Sequence, residues 1–329
     1  MTTASEAMEF RDKALEQLDY LLLDEKEAKI AMLAAMVMGE NILLYGPVGG
    51  GKTTLGRDAY RLIEGIDLSN VATLPIQADL TPQQLIGGNA ESTKETTFNG
   101  DTVTETNKTT IQPIIRQDTK VIFANEINRI NPFAINAGLE ALESGVIDTS
   151  AGLVTLSGLE YVVSTMNPSE RRAGTFEVTA ATASRHAVGA NLGNDISDES
   201  LVRISDGNWV PTPEVLKPVI DLGELHDMRL SASKLHVPDD GRTFATGLVI
   251  GTIDGLMENG IQEARPRISK QIGKTAKALA LLGGQDAVSP ANLRQAAKYT
   301  IASRLGAMGR GDVVTTVKET LDKAVKRAG

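Results

Sequence analysis

There is no cysteine in the chain. That absence excludes disulfides, thiolate zinc sites, iron–sulfur clusters and cysteine nucleophiles. Histidine is scarce. His186, His226 and His236 are scattered, and none forms H-E-x-x-H or a ligand pair at close helical spacing, so no catalytic metal on imidazole is expected. There is no G-x-S-x-G nucleophile elbow. Aromatic residues make up only 4%, too few to favour platforms that stack bases or sugars. No apolar run approaches the roughly 18 residues of a membrane span. Basic residues number 33 against 42 acidic ones, for a net charge of −9. The chain therefore has no basic surplus to hold a phosphate backbone non-specifically. Met1 to Lys13 carries early acids and no apolar h-region, unlike a secretion signal, so a cytoplasmic location is expected.

What is present is ordinary for a folded protein: 329 residues, 41% apolar and 23% charged. That length accommodates two domains of about 100–200 residues each. Residues 5–38 read as helices, with Leu15, Leu18, Leu22 and Leu23 at helical spacing and a second run through Ile30, Leu33, Ala34 and Val37 that closes at Gly39. Asn41-Ile42-Leu43-Leu44-Tyr45 is a short apolar strand, and a helix is expected from Thr54 to Ile63. Further strands are expected at Val71–Ile76, Val121–Ala124 and Tyr161–Thr165, with a helix at Pro132–Glu143. Asn99-Gly100, set in a Thr-rich stretch at 92–110, signals a two-residue hairpin. Strands alternating with helices imply an α/β fold with a parallel sheet. After about residue 190 a stretch with Gly193, Asn194, Gly207, Asn208, Pro211, Pro213 and Pro218 reads as a linker. Beyond it, helical patterns at 220–234, 240–258, 266–282, 290–305 and 312–327 predict a smaller all-α domain. The expected division is 1–210 and 211–329.

Gly46-Pro47-Val48-Gly49-Gly50-Gly51-Lys52-Thr53 matches G-x-x-x-x-G-K-[ST], between a strand and a helix. Glycines let successive backbone N–H groups converge on phosphate oxygens, and the following helix, which includes Thr54, adds partial positive charge. Lys52 can reach the β- and γ-phosphates, and the Thr53 hydroxyl can bind Mg²⁺. ATP with Mg²⁺ is the expected ligand. A P-loop site also needs an apolar strand ending in acids. Val121-Ile122-Phe123-Ala124 supplies it, followed by Asn125 in the metal-shell position and Glu126 where a base would orient the attacking water. Asn125 offers a neutral oxygen, which predicts weaker metal binding. Asn167, in Ser164-Thr165-Met166-Asn167-Pro168, is placed either to contact the γ-phosphate or the lytic water, or merely to make a turn.

The run Glu126-Ile127-Asn128-Arg129, then Pro132, a helix and Leu142-Glu143-Ser144-Gly145, resembles the MoxR branch of the AAA+ ATPases. So do Thr165-Met166-Asn167-Pro168, Gly174-Thr175-Phe176, His236-Val237-Pro238, Arg265-Pro266-Arg267-Ile268-Ser269 and Ala276–Gly284, all in family order between Asp24 and Leu293. The resemblance implies an AAA+ core with a helical lid, a homo-oligomeric ring, usually of six, and ATP hydrolysis between neighbours. It implies that 92–110 is the family's hairpin insertion and that Ile147–Ser157 forms the hairpin before the first sensor strand. Asn167 matches sensor 1. Arg185 matches the arginine finger, with Arg171 and Arg172 as competitors, and Arg267 matches sensor 2, with Arg265 as competitor.

Within this resemblance the expected function is remodelling or assembly of a protein client, with a partner carrying a von Willebrand A domain. A metal-chelatase motor subunit is a close alternative. A nucleic-acid motor or loader is a second, opposed by the hairpin's composition: Lys94 and Lys108 against Glu91, Glu95, Asp101 and Glu105. A nucleotide-clamped module with little hydrolysis is a third, supported by Asn125. Lys318, Lys323, Lys326 and Arg327 read as a solvated helix end, Met32, Met36 and Met38 as core, and Trp209 as a packing anchor.

Overall fold

The computed structural model describes residues 2–81, 84–85, 88–98, 101–111, 114–136, 146–149, 152–156, 158–168, 175–193, 195–309 and 312–329. Helix α1 (Ala4–Leu18) opens on a capping box in which Thr3 and Glu6 satisfy each other's backbone N–H. Helix α2 (Lys26–Met38) is apolar on nearly every side and ends at Gly39. It can be so because it is covered all round, and Met32, Met36 and Met38 are buried there as core. Strand β1 (Ile42–Tyr45) leads through the glycine loop into helix α3 (Lys52–Asp58). The helix is shorter than its pattern predicts. After Asp58 the chain tightens into a 3₁₀ turn, and Ile63–Glu64 leaves as strand β2, later paired with β11 (Ile220–Asp221). Strand β3 (Val71–Leu74) follows.

Two antiparallel hairpins interrupt the core. Strands β4 (Gly88–Phe98) and β5 (Asp101–Ile111) pair from Gly88↔Ile111 to Phe98↔Asp101, so the hairpin expected at 92–110 is longer than predicted. Its turn pair Asn99-Gly100 lies outside the described residues. After strand β6 (Val121–Ala124) a short helix occupies 132–136, and Leu142, Glu143, Ser144 and Gly145 lie outside the described residues. Strands β7 (Val146–Thr149) and β8 (Gly152–Thr155) make the second hairpin, as expected ahead of β9 (Tyr161–Met166). A short helix α4 (Ala180–Ser184) then precedes strand β10 (Val188–Asn191).

The central sheet is parallel, in the order β10-β1-β9-β6-β3. Strand β9 is inserted between β1 and β6, with Tyr45 opposite Met166 and Ala124 opposite Ser164. All parallel strands deliver their following residues to one edge, and that edge carries the site. Strand β10 has too few β-formers to announce itself in the sequence. It survives at the sheet edge because a lid helix covers it closely: a Cβ on Gly189 would stand 2.1 Å from the Ser303 backbone nitrogen.

The stretch after residue 190 is not a bare linker. It contains helix α5 (Asp198–Ser205), and its chain folds back over the glycine loop. Helices α6 (Leu222–Lys234), α7 (Arg242–Glu258), α8 (Arg265–Leu282), α9 (Pro290–Met308) and α10 (Val313–Ala328) form the expected all-α layer. Buried Glu160 at the start of β9 accepts from Arg229 of α6 at 3.1 Å, and Arg229 also donates to Val37 O, which ties this layer to the core. The basic end of α10 is partly paired rather than simply solvated: Lys323 meets Glu258 at 2.7 Å and Arg327 pairs with Asp254.

Candidate active site

The site begins where β1 ends. The Gly46 N–H donates to Met166 O at 3.3 Å, and Gly46 holds φ 147°. A Cβ there would stand 2.1 Å from the Leu192 carbonyl oxygen, so only glycine permits this turn. At Gly49 nothing lies within 4 Å of a built Cβ, which leaves the crest of the loop open to a phosphate. Lys52 is buried to 8% exposure and its Nζ donates to Pro47 O at 2.5 Å. Burial holds this ammonium below the usual lysine range, opposed in part by nearby Glu126.

Insertion of β9 brings the ends of β6 and β9 and the head of α3 into one hydrogen-bonded chain. Thr53 Oγ1 donates to Asn125 Oδ1 at 3.1 Å. The Thr165 hydroxyl donates to the same oxygen at 2.8 Å and accepts from the Glu126 N–H at 2.9 Å. Glu126 adopts the left-handed conformation, φ 51° and ψ 60°, which a non-glycine residue keeps only where its surroundings enforce it. Its carboxylate lies 2.9 Å from Arg129 Nε. Asn167 is buried at the end of β9 and shares the cavity with Lys52, Thr53, Glu126 and Thr165.

That cavity measures about 340 Å³ and has two unlike walls. One is the polar cradle, with Val48, Gly49, Gly50, Gly51 and Thr54 beside the groups above. The other is apolar: Leu21, Leu22, Leu23, Ile196, Ile204, Trp209 and Pro211. Trp209 is thus more than a packing anchor. Its Nε1 donates to Asp19 O at 3.2 Å while the ring faces the cavity. Sequence reasoning misses this apolar wall. The one signal for it is a lone tryptophan in a proline-rich stretch, where so large an apolar surface needs something to cover. A larger groove, about 760 Å³, lies between β10, α9 and α10. Two pairs of its lining charges meet each other, Lys298 with Glu27 at 2.6 Å and Arg294 with Asp322 at 3.9 Å, and it includes no glycine loop.

The chemistry of the donors suits a magnesium nucleotide. Thr53 and Asn125 present a hydroxyl and a carbonyl oxygen at the head of α3, hard donors for a hard cation. Neither is charged, and among the described residues no group of three or more His, Asp or Glu gathers to hold a metal.

Arg185 and Arg267 do not join this cavity. Asn41, just before β1, donates from Nδ2 to Arg185 O at 3.0 Å, so Arg185 sits at the amino edge of the sheet, opposite the loop. The five residue steps from Asn41 to Gly46 separate the two edges by about 16 Å at a strand rise of about 3.3 Å. Arg267 reaches the same edge, where its Nη1 donates to Ser184 Oγ at 2.9 Å. The structure therefore brings these two arginines together and keeps both from their own glycine loop. The competitors of Arg185, Arg171 and Arg172, and also Gly174, lie outside the described residues, while Arg265, the competitor of Arg267, is the first residue of α8.

His186 follows Arg185 and is fully buried. Its Nδ1 meets Thr182 O at 3.0 Å and its Nε2 meets Ser164 Oγ at 2.8 Å. A carbonyl cannot donate, so Nδ1 carries the proton and Nε2 accepts from Ser164. Burial, with Arg304 and Arg185 nearby, pushes this imidazole down to about 4 from 6.5. Between those values the unfolded chain takes up a proton that the folded one refuses. Stability is therefore full above pH 6.5 and falls toward pH 4, by on the order of 3 kcal/mol from this group. Denaturant midpoints at pH 8 and pH 5 should separate in the wild type by more than in His186→Gln, and equal separations would refute the assignment.

Residues 41–186 match the AAA domain of the dynein-related subfamily, and residues 262–323 match the AAA lid domain. "Uncharacterized protein YeaC" of Bacillus subtilis (strain 168) is 26% identical over 294 residues, which are 89% of this chain and 86% of that protein. The crystal structure of a "putative ATPase" from Cytophaga hutchinsonii ATCC 33406 superposes with a TM-score of 0.69 at 18% identity, covering 97% of this chain and 96% of that one. No helix among the described residues is long and apolar enough to cross a membrane. With a glycine-loop core in the strand order described, followed by an AAA lid, the chain belongs to the AAA+ family.

Proposed function

We propose that the protein is a MoxR-type ATPase that works as a ring, hydrolysing Mg·ATP at the junction between neighbouring subunits to remodel or assemble a protein client. The observation that carries this reading is the placement of Arg185 and Arg267. Both stand at the edge of the sheet remote from their own cradle, so the nucleotide they serve is a neighbour's. On this reading residues 1–210 bind nucleotide and 211–329 form the lid. Six subunits, a cytoplasmic location and a partner carrying a von Willebrand A domain complete it.

The residues divide the work. The loop amides and Lys52 hold the phosphates, and Thr53 with Asn125 would hold Mg²⁺, which neutralises charge on the phosphates when bound. Glu126 accepts the proton of the attacking water, and Asn167 orients that water or the γ-phosphate. An arginine from the next subunit stabilises charge as it spreads over the transferring phosphoryl group. The apolar wall with Trp209 receives the base. The neutral Asn125 favours a second reading, a nucleotide clamp that turns over little, and single-turnover hydrolysis decides between the two.

Trp209 is the only tryptophan in the chain, so intrinsic fluorescence reports directly on the cavity. Titration with ATP should change its emission saturably, and Lys52→Ala should abolish the change. Specific activity should rise with protein concentration as subunits assemble. A rate per subunit that is constant on dilution to monomer would overturn the ring mechanism.

A further inference from the structure

Ser184, Arg185 and His186 make the turn that ends α4, and each of their backbone carbonyls is held by a side chain from another element. Asn41 Nδ2 donates to Arg185 O at 3.0 Å. Gln271 of α8 donates from Nε2 to Ser184 O at 3.1 Å. Arg304 of α9 donates from Nη1 to His186 O at 2.8 Å and from Nη2 to Ser184 O at 3.3 Å. Arg304 thus grips the carbonyls on both sides of Arg185.

Arg304 is itself fixed on its remaining donors. It is 1% exposed. Its Nε and Nη2 make a bidentate pair with Glu263, at 3.0 Å and 2.8 Å, in the segment that leads into α8. Nη2 also donates to Gln271 Oε1, and Nη1 to Ser303 Oγ at 2.8 Å. A buried ion pair of this kind adds little net stability over apolar residues of the same size. What a planar, doubly bonded guanidinium supplies is direction. Every group in the cluster except Asn41 belongs to the lid helices or the segment that enters them, while the turn it holds belongs to the core.

We propose that Arg304, together with Glu263 and Gln271, is a positioning group for Arg185. It fixes the backbone on either side of that residue, so the guanidinium is aimed at the neighbouring subunit's nucleotide only while α8 and α9 are docked against α4. The inference rests on the ring reading above and extends it, by making the lid of one subunit govern hydrolysis in the next.

Mixed assemblies test this. The double variant Arg304→Met with Glu263→Leu removes both buried charges together. It should bind ATP with unaltered affinity by Trp209 fluorescence, with KM within about twofold and kcat lowered on the order of 10²-fold, the scale of a misplaced catalytic group. Mixing it with Lys52→Ala, which cannot bind nucleotide but keeps Arg185 and Arg304, should restore turnover at the mixed junctions. Mixing it with Arg185→Ala should not. Gln271→Leu, a milder change, should give the same pattern with a smaller loss, and carries the test should the double variant fail to fold. Wild-type kcat in these variants overturns the proposal. So does a loss that Lys52→Ala fails to restore while the control mixture of Arg185→Ala and Lys52→Ala is active. If that control mixture is itself inactive, the ring reading falls and the proposal with it.

Discussion

Glu126→Gln should leave ATP bound and nearly uncleaved, with kcat reduced about 10²- to 10³-fold, the usual worth of a positioned general base. The expectation follows from how tightly the residue is placed. Its N–H donates to Thr165 at 2.9 Å, its backbone is held at φ 51°, and its side chain lines the cavity with Lys52 and Asn167. Glutamine keeps the shape and removes the basicity, so nucleotide affinity by Trp209 fluorescence should persist while phosphate release falls. The same variant, held in its ATP-bound state, is the bait for identifying the client. Turnover within a few-fold of wild type would show that another group serves as the base. Detectable single-turnover hydrolysis by the wild type, abolished in Glu126→Gln, would also set aside the clamp reading that Asn125 suggests.

Arg185→Ala carries the second large effect, a fall in kcat of about 10³-fold or more, the scale of an arginine supplied in trans. Nucleotide binding should be untouched, because the residue stands at the far edge of the sheet from its own loop. The loss should be relieved on mixing with Lys52→Ala, since each variant then supplies what the other lacks. Arg267→Ala, whose side chain meets Ser184 at 2.9 Å, should act in the same direction. If Arg185→Ala weakens ATP binding as much as it slows turnover, the residue acts on its own chain and the trans assignment is wrong.

Much of this machinery is legible in the order of residues. The glycine loop with Lys52 and Thr53 has a fixed spacing and a strand–helix context, both local properties. The lid helices declare themselves by their 3.6-residue period, and Glu126 by its place after a run of four apolar residues. The hairpin needs only Asn99-Gly100 between threonines. Strand β10 is not legible, because its fitness for the sheet edge depends on how closely α9 approaches Gly189 rather than on strand propensity. The apolar wall is hidden for the same reason: Trp209 matters through its partners, not its neighbours in sequence.

Residue pattern alone therefore specifies the parts: a glycine loop, a candidate base, two candidate arginines and a helical lid. Their arrangement comes from the folded chain. Placing β9 between β1 and β6 is what lets Thr165 join Asn125 and Glu126, and the parallel pairing of β10 with β1 is what leaves Arg185, just before β10, at the opposite edge. The contacts responsible link residues from 39 positions apart, as in Thr165 with Glu126, to 190 apart, as in Trp209 with Asp19. No local periodicity encodes such pairings; they arise when distant segments compete to bury the same apolar surface and satisfy the same hydrogen-bonding groups.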